Sequence, residues 1–367
     1  MSQKLKILIS GGGTGGHIFP AIAIARALEQ MRPGTEILFV GAKNRMEMEL
    51  VPKAGYKIEG LDISGISRRH LFSNFSLPGK LIRSIRKSKQ LIAGFNPDAV
   101  VGVGGYASGP ALWAAIRKKI PALLQEQNSY PGITNRILGR YADRICVAYE
   151  GMEKYFPKNK IVITGNPVRQ EITALREKRQ AALEYFSLKE GGFTVLVLGG
   201  SLGARTINNS ISGCLDMLSQ NNIGLIWQTG KSYFAQAAEL LRKYPAMRVY
   251  DFITRMDLAY SAADAVVSRA GAITVSELCI AGLPSILVPS PNVAEDHQTK
   301  NAMKIAGYNG AIVINDGRAE AELGNAILKL ASDKELRRVL GGNIAKLASK
   351  DPASAIATEI LKLSATE

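Results

Sequence analysis

Two apolar runs in this chain end in glycine-rich turns, and that pairing constrains the fold more than any other feature. The first is Lys6-Ile7-Leu8-Ile9-Ser10 followed by Gly11-Gly12-Gly13-Thr14-Gly15-Gly16-His17. The second is Val195-Leu196-Val197-Leu198 followed by Gly199-Gly200-Ser201-Leu202-Gly203-Ala204-Arg205. Each turn leads into a segment with helical periodicity. A strand, a glycine turn and a helix N-terminus make an anion cradle. Glycine lets backbone approach closely, and the free N–H groups and helix dipole attract phosphate. Two such units predict two nucleotide-type α/β domains facing each other.

A length of 367 residues also favours two cores over one. Short apolar runs alternate with amphipathic stretches, which predicts parallel sheets with helices on both faces. Strands are expected at 5–10, 36–40, 98–103, 121–125, 144–147, 160–164, 193–198, 223–228, 247–250, 264–267, 284–288 and 311–314. Gly165-Asn166-Pro167-Val168 marks the break, giving domains at 1–166 and 167–349. A charged helix over about 168–186 is expected after it. The last periodic stretch, about 350–367, is expected to return and pack on the first domain. The uncharged run Ala99–Ile116 contains Gly102, Gly104, Gly105, Gly109 and Pro110. It reads as strand, loop and helix start rather than a membrane span, and the chain is expected to be soluble. Cys146, Cys214 and Cys279 are scattered and odd in number, which fits a reducing compartment. With three histidines and no Cys/His cluster, no zinc site is expected.

Charge is uneven. Residues 1–163 carry 24 Lys and Arg against 11 Asp and Glu, and the remainder is nearly balanced. From Ile63 to Pro97 there is no acid, while Arg68, Arg69, Lys80, Arg83, Arg86, Lys87 and Lys89 are basic. Phe72, Phe75 and Leu77 are interleaved with them. This pattern suits an anionic membrane surface, or else a solvated helix face over the core. Nucleic acid is not expected, since no recognition motif accompanies the charge.

Gly11, Gly13 and Gly16 fit G-x-G-x-x-G, but a dinucleotide site wants an acid after the second strand. Here that strand ends Phe39-Val40-Gly41-Ala42-Lys43, and its counterpart in the second half ends Trp227-Gln228-Thr229. His17 and Ile18 exclude a Walker loop. A third turn, Gly102-Val103-Gly104-Gly105-Tyr106, implies an anion held between two turns or a close backbone approach to substrate. In the second half, Ser268–Glu277 reads as strand end, glycine turn and helix. Glu277 there either accepts from ribose hydroxyls or closes a capping box with Thr274. Gln298 and Asn301, three apart, offer amides to sugar hydroxyls or else form a polar helix start. No D-x-D triplet is present, so a leaving diphosphate must be neutralised by amides, dipoles or Arg, without a metal.

Gly11–His17, Gly104-Gly105-Tyr106, Glu126-Gln127-Asn128, Gly165-Asn166-Pro167-Val168-Arg169, Gly199-Gly200-Ser201 and Thr274-Val275-Ser276-Glu277 occur in one order. In this order they resemble the MurG family of bacterial peptidoglycan N-acetylglucosaminyltransferases, nearly end to end. The resemblance implies a GT-B fold, two Rossmann-like domains whose parallel sheets face each other across a cleft. It also implies inverting transfer of N-acetylglucosamine (GlcNAc) from UDP-GlcNAc to the muramoyl 4-hydroxyl of lipid I, giving lipid II. UDP-GlcNAc is then a substrate, and no tightly bound cofactor is needed. By resemblance Ser201 holds the diphosphate, Ile253 the uracil, and Glu277 the ribose, within a donor segment Ala272, Ile273, Thr274, Val275, Ser276 and Glu277. Asn128 and Gln298 reach the donor sugar, with His297 an alternative to Gln298, and Arg169 lies near the nucleotide. Thr14, Gly15 and Gly16 border donor and acceptor; Gly13, Gly104, Gly105 and Tyr106 face the acceptor. The implied location is the cytoplasmic face of the inner membrane, with cell-wall synthesis proteins as further partners. Gln125 stands where the family often has His, and an amide cannot serve as acid or base there. The base is His17, with Glu126 the alternative; His17 as a neutral orienting group is the other reading. A UDP-GlcNAc 2-epimerase and a non-catalytic nucleotide-sugar sensor are the competing functions.

Overall fold

Runs of branched apolar residues become strands here because a parallel sheet buries both of their faces. The computed structural model describes residues 4–65, 76–168, 170–173, 175–200, 203–293 and 296–365. The chain divides into two compact units, residues 1–169 with 349–367, and residues 170–348.

The first unit runs β1 (Lys6–Ser10), α1 (Gly15–Met31), β2 (Glu36–Ala42), α2 (Glu47–Lys53), β3 (Lys57–Leu61), α3 (Leu77–Phe95), β4 (Ala99–Gly102), α4 (Ser108–Arg117), β5 (Ala122–Glu126), α5 (Ile133–Leu138), β6 (Arg144–Val147) and β7 (Ile161–Ile163). All seven strands pair in parallel in the order β3-β2-β1-β4-β5-β6-β7. Ile7 and Ile9 enter one core with α1, whereas Leu8 enters the opposite core with α4. That alternation is the period of two expected of a doubly covered sheet.

The second unit runs α6 (Arg179–Tyr185), β8 (Phe193–Leu198), α7 (Arg205–Gln220), β9 (Ile223–Gln228), α8 (Lys231–Leu241), β10 (Met247–Tyr250), α9 (Met256–Ala262), β11 (Ala265–Ser268), α10 (Ala272–Ala281), β12 (Ser285–Leu287), α11 (His297–Gly307), β13 (Ile312–Val313), α12 (Ala319–Ser332) and α13 (Lys334–Ala345). Its strands are also parallel, ordered β10-β9-β8-β11-β12-β13. The chain then returns to the first unit as α14 (Pro352–Ser364). Ala353, Ile356, Ala357 and Ile360 of α14 share a core with Ile24 and Leu28 of α1. Each buried isoleucine contributes about 1.5–3 kcal/mol.

Two expectations are corrected. Strand β3 was not anticipated: Lys57-Ile58-Glu59-Gly60-Leu61 mixes charge and glycine because it is an edge, paired with β2 alone. The continuous helix over about 168–186 is overturned. Short 3-10 turns occupy Gln170–Thr173 and Arg176–Lys178, and α-helix begins only at Arg179. Tertiary partners override helical propensity here. Lys178 pairs with Asp257 at 3.1 Å, and Arg179 bonds Asp264 at 2.9 Å and the Ser261 carbonyl at 3.3 Å. The run 99–116 resolves into β4, a turn and α4. Among the described residues no helix is long and apolar enough to cross a membrane.

Candidate active site

In the first unit the strand order reverses between β1 and β4, the place where open α/β sheets bind ligands. The turns after β1 and β4 meet there. A Cβ on Gly105 (φ +83°) would lie 2.2 Å from the Gly12 carbonyl oxygen. A Cβ on Gly104 (φ +93°) would lie 2.4 Å from His17 Cδ2 and 2.7 Å from Nε2. Gly104 and Gly105 therefore make room for the neighbouring turn and for the imidazole. The close approach expected toward a substrate is, at these two positions, internal to the protein. Thr14 Oγ1 lies 3.0 Å from His17 Nδ1, which fixes the ring through one nitrogen. Tyr106 is 53% exposed, and its phenol covers the backbone of Gly65.

Glu126 ends β5 and is only 1% exposed. It accepts from the Asn128 backbone N–H at 2.9 Å, from Asn128 Nδ2 at 3.2 Å and from Asn135 Nδ2 at 2.7 Å. Burial holds its carboxyl above the usual range, opposed by these donors. This is the geometry of a loop anchor. Asn135, which the sequence reading missed, is the other half of that anchor. Gln125 and Gln127 are buried amides: Gln125 donates to Asn166 Oδ1 at 3.1 Å, and Gln127 donates to the Val103 carbonyl at 2.6 Å. Asn166 in turn donates to the Gln127 carbonyl at 3.0 Å. The Gly165-Asn166 motif thus braces the strand end beside the β4 turn.

In the second unit the order reverses between β8 and β11. The glycine turn follows β8, and α10 follows β11 after Gly271. Gly271 is the N-cap of α10, so the capping-box reading of Thr274 and Glu277 is overturned. Glu277 lies in the second turn, 5% exposed, accepting from the Tyr260 hydroxyl at 2.9 Å. Ala272, Ile273 and Val275 are buried in the helix's own packing. The Val275 N–H donates to the Gly271 carbonyl at 2.9 Å, while the N–H groups of Ala272 and Ile273 stand in the first turn, where a helix supplies no intrahelical acceptor. Ser276 turns its hydroxyl back to the Ala272 carbonyl at 3.0 Å. Gln228 carries no local signal, because its partners at Gly200 and Ile253 are distant in sequence. Its Nε2 donates to the Gly200 carbonyl at 3.1 Å and its Oε1 accepts from the Ile253 N–H at 2.9 Å. The side chain ties the glycine turn to Ile253 and takes the Ile253 amide. Arg269 pairs with Asp316 and donates to the Val288 carbonyl at 3.0 Å, bracing the loop beyond β12.

Gln298 Oε1 accepts from the Ser290 N–H at 2.9 Å. Asn301 is fully buried and donates to the Ala270 carbonyl at 3.2 Å, so its pairing with Gln298 on a sugar-facing surface is overturned. Arg169, Ser201, Phe72 and Phe75 lie outside the described residues. On α3, Leu77 is half-buried, while Leu81, Ile82, Arg86 and Lys89 are exposed. Arg83 pairs with Asp62 at 3.3 Å and Lys87 with Glu59 at 2.8 Å. Among the described residues no group of three or more His, Cys, Asp or Glu is placed to hold a metal.

Residues 7–147 match the glycosyltransferase family 28 N-terminal domain, and residues 194–351 match its C-terminal domain. The chain is 54% identical to a protein of Parabacteroides distasonis over 98% of its own length and 99% of that protein's. That relative is named UDP-N-acetylglucosamine--N-acetylmuramyl-(pentapeptide) pyrophosphoryl-undecaprenol N-acetylglucosamine transferase. The crystal structure of Acinetobacter baumannii MurG is similar with a TM-score of 0.75 and 28% identity, covering 98% of this chain and all of that one. A UDP-GlcNAc 2-epimerase from Neisseria meningitidis shares the fold alone, at a TM-score of 0.66 and 14% identity over 98% of this chain and 99% of that one. The fold is of the GT-B type. This chain belongs to glycosyltransferase family 28 and, within it, to the MurG family of N-acetylglucosamine transferases.

Proposed function

We infer that this chain transfers GlcNAc from UDP-GlcNAc to the 4-hydroxyl of the N-acetylmuramyl-pentapeptide carried on pyrophosphoryl-undecaprenol, with inversion. Family membership supports the reaction. The observation that carries its mechanism is the His17 imidazole, seated where two glycine turns meet at a sheet switch point. In the tautomer whose Nδ1–H donates to Thr14 Oγ1, Nε2 is the basic nitrogen that takes the acceptor hydroxyl proton. The acceptor oxygen then bonds to the anomeric carbon as that carbon's bond to the β-phosphate oxygen breaks. The electron pair leaves with UDP. His17 serves better than Glu126, whose carboxylate is already filled by three N–H donors.

The second unit is the donor side in this reading. Amides of the turn after β8, with Ser201, would receive the diphosphate. Glu277 would accept from ribose, and Gln298 would donate to the sugar. Uracil would be read through the Ile253 carbonyl, since its N–H is held by Gln228. The first unit is the acceptor side, with Tyr106 exposed toward it and α3 resting peripherally on the cytoplasmic face of an anionic membrane. UDP release from UDP-GlcNAc tests the reading. A transferase releases UDP only with the lipid-linked acceptor, an epimerase converts the donor without it, and a sensor does neither.

A further inference from the structure

We propose that Glu47 is a positioning residue for the transfer, holding the His17-bearing turn in its working shape. This rests on His17 as the base. Glu47 opens α2 and is completely buried. Its Oε2 accepts from the Gly13 N–H at 2.9 Å, and its Oε1 accepts from the Ala42 N–H at 2.9 Å. Among the described residues no cation pairs with it. A carboxylate removed from water costs several kcal/mol unless donors replace its hydration. Here the donors are two backbone amides, one at the end of β2 and one inside the first glycine turn.

The glycines around it are shaped to this one side chain. A Cβ on Gly12 would sit 2.2 Å from Glu47 Oε1, and a Cβ on Gly41 would sit 2.5 Å from its Cγ. The first turn is therefore wrapped around an internal anion. Its Gly13 amide is already taken by Glu47. From Gly13 the chain passes directly to Thr14, whose hydroxyl meets His17 Nδ1. The Gly12 carbonyl meanwhile packs on Gly105, beside the glycine that seats the imidazole. Both routes from Glu47 end at His17. Only a carboxylate presents an acceptor to each amide at once; glutamine would turn an NH₂ group toward one of them.

The experiment compares wild type, Glu47→Gln and His17→Ala, using UDP-GlcNAc and a short-chain lipid pyrophosphoryl-muramyl-pentapeptide acceptor. Glu47→Gln is expected to lower kcat by about 10²-fold, the scale of a slightly misplaced catalytic group. KM for UDP-GlcNAc and the calorimetric affinity for UDP stay as in wild type. With ¹⁵N-histidine labelling the chain gives three imidazole spin systems, His17 being the one lost in His17→Ala. In Glu47→Gln the His17 signals should move from one tautomer to an average of two. A wild-type kcat in Glu47→Gln overturns the proposal. So does a kcat loss with an unchanged His17 tautomer and weakened UDP binding, which would mark general damage. If His17→Ala itself retains turnover, the base assignment fails instead. Should Glu47→Gln not fold, Glu47→Asp decides. It keeps the charge but is too short to reach both amides, and the same split between kcat and KM is required of it.

Discussion

The two glycine turns look alike in sequence and differ in what lies beneath them. The turn after β1 encloses the Glu47 carboxylate, which takes the Gly13 amide. The turn after β8 is backed by the neutral Gln228, whose side chain donates to the Gly200 carbonyl and whose own backbone carbonyl accepts from the Gly199 N–H at 3.1 Å. An anion already in place repels a second one and favours a group that becomes positive during reaction. A neutral backing places no charge there to oppose the attraction of the following helix's dipole for phosphate. Under the proposed function, one sequence signature would serve a base in the first unit and a diphosphate in the second.

The comparison breaks most readily at His17. His17→Ala should reduce turnover by about 10²–10⁴-fold, the usual scale for a general base, with little change in UDP affinity. His17→Gln should lose nearly as much, because an amide keeps a hydrogen bond but takes no proton. A loss of donor affinity with turnover preserved would make the two turns alike in role, both binding elements.

The cores offer a second contrast, because the first unit is completed only by α14, almost two hundred residues beyond β7. Ile356→Ala should destabilise that unit by about 2–5 kcal/mol, the cost of emptying a packed isoleucine site. In urea, intrinsic probes of the first unit should then unfold earlier while UDP binding by the second holds to its wild-type midpoint. A coincident shift would show that the units unfold as one.

These elements also show what a sequence can reveal. Twelve strands were legible because nearly all are apolar runs, a local signal. Strand β3 was not, since an edge tolerates Lys57 and Glu59 and needs only one buried face. The glycine turns were legible, but Glu47 was not. It is distant in sequence from Gly13, and nothing local distinguishes it from the solvated Glu49 two residues on. Asn135 and Gln228 escaped for the same reason: their partners are set by tertiary packing. Conversely, spacing leaves Asn301 open as a sugar-facing amide or part of a polar helix start, and the structure sets it on the Ala270 carbonyl.

Glu277 sharpens the donor side. Glu277→Ala should weaken UDP binding by about 1.5–3 kcal/mol, the worth of a hydrogen bond to a charged group. The wild type should bind 2′-deoxy-UDP correspondingly poorly. Tyr260→Phe is the control, removing the carboxylate's internal partner at 2.9 Å while leaving the carboxylate. If Glu277→Ala binds UDP normally and Tyr260→Phe is destabilised, the carboxylate serves the α9–α10 contact and the ribose assignment fails.

The smallest expected effect per residue concerns the membrane, and here the structure changes which residues to alter. The sequence pointed to Arg83, Arg86 and Lys87 together. Arg83 and Lys87 already pair with Asp62 and Glu59, so reversing their charge would also set acid against acid beside β3. Arg86 and Lys89 are exposed, the latter 5.3 Å above the Trp113 ring, and they flank the exposed Leu81 and Ile82 on α3. Each basic residue near an anionic surface contributes about 1 kcal/mol, and the two leucine-type side chains add shallow insertion. Arg86→Glu with Lys89→Glu should therefore weaken binding to vesicles containing anionic lipid by at least about thirtyfold, as 2 kcal/mol requires. Added salt should produce the same trend in wild type. The double variant should keep its UDP affinity, because the second unit is untouched. It should lose activity on acceptor embedded in vesicles and keep most of it on a short-chain soluble acceptor. Equal loss on both acceptors would place Arg86 and Lys89 in the service of the fold. The charge asymmetry between the two units would then have nothing to do with where the acceptor is found.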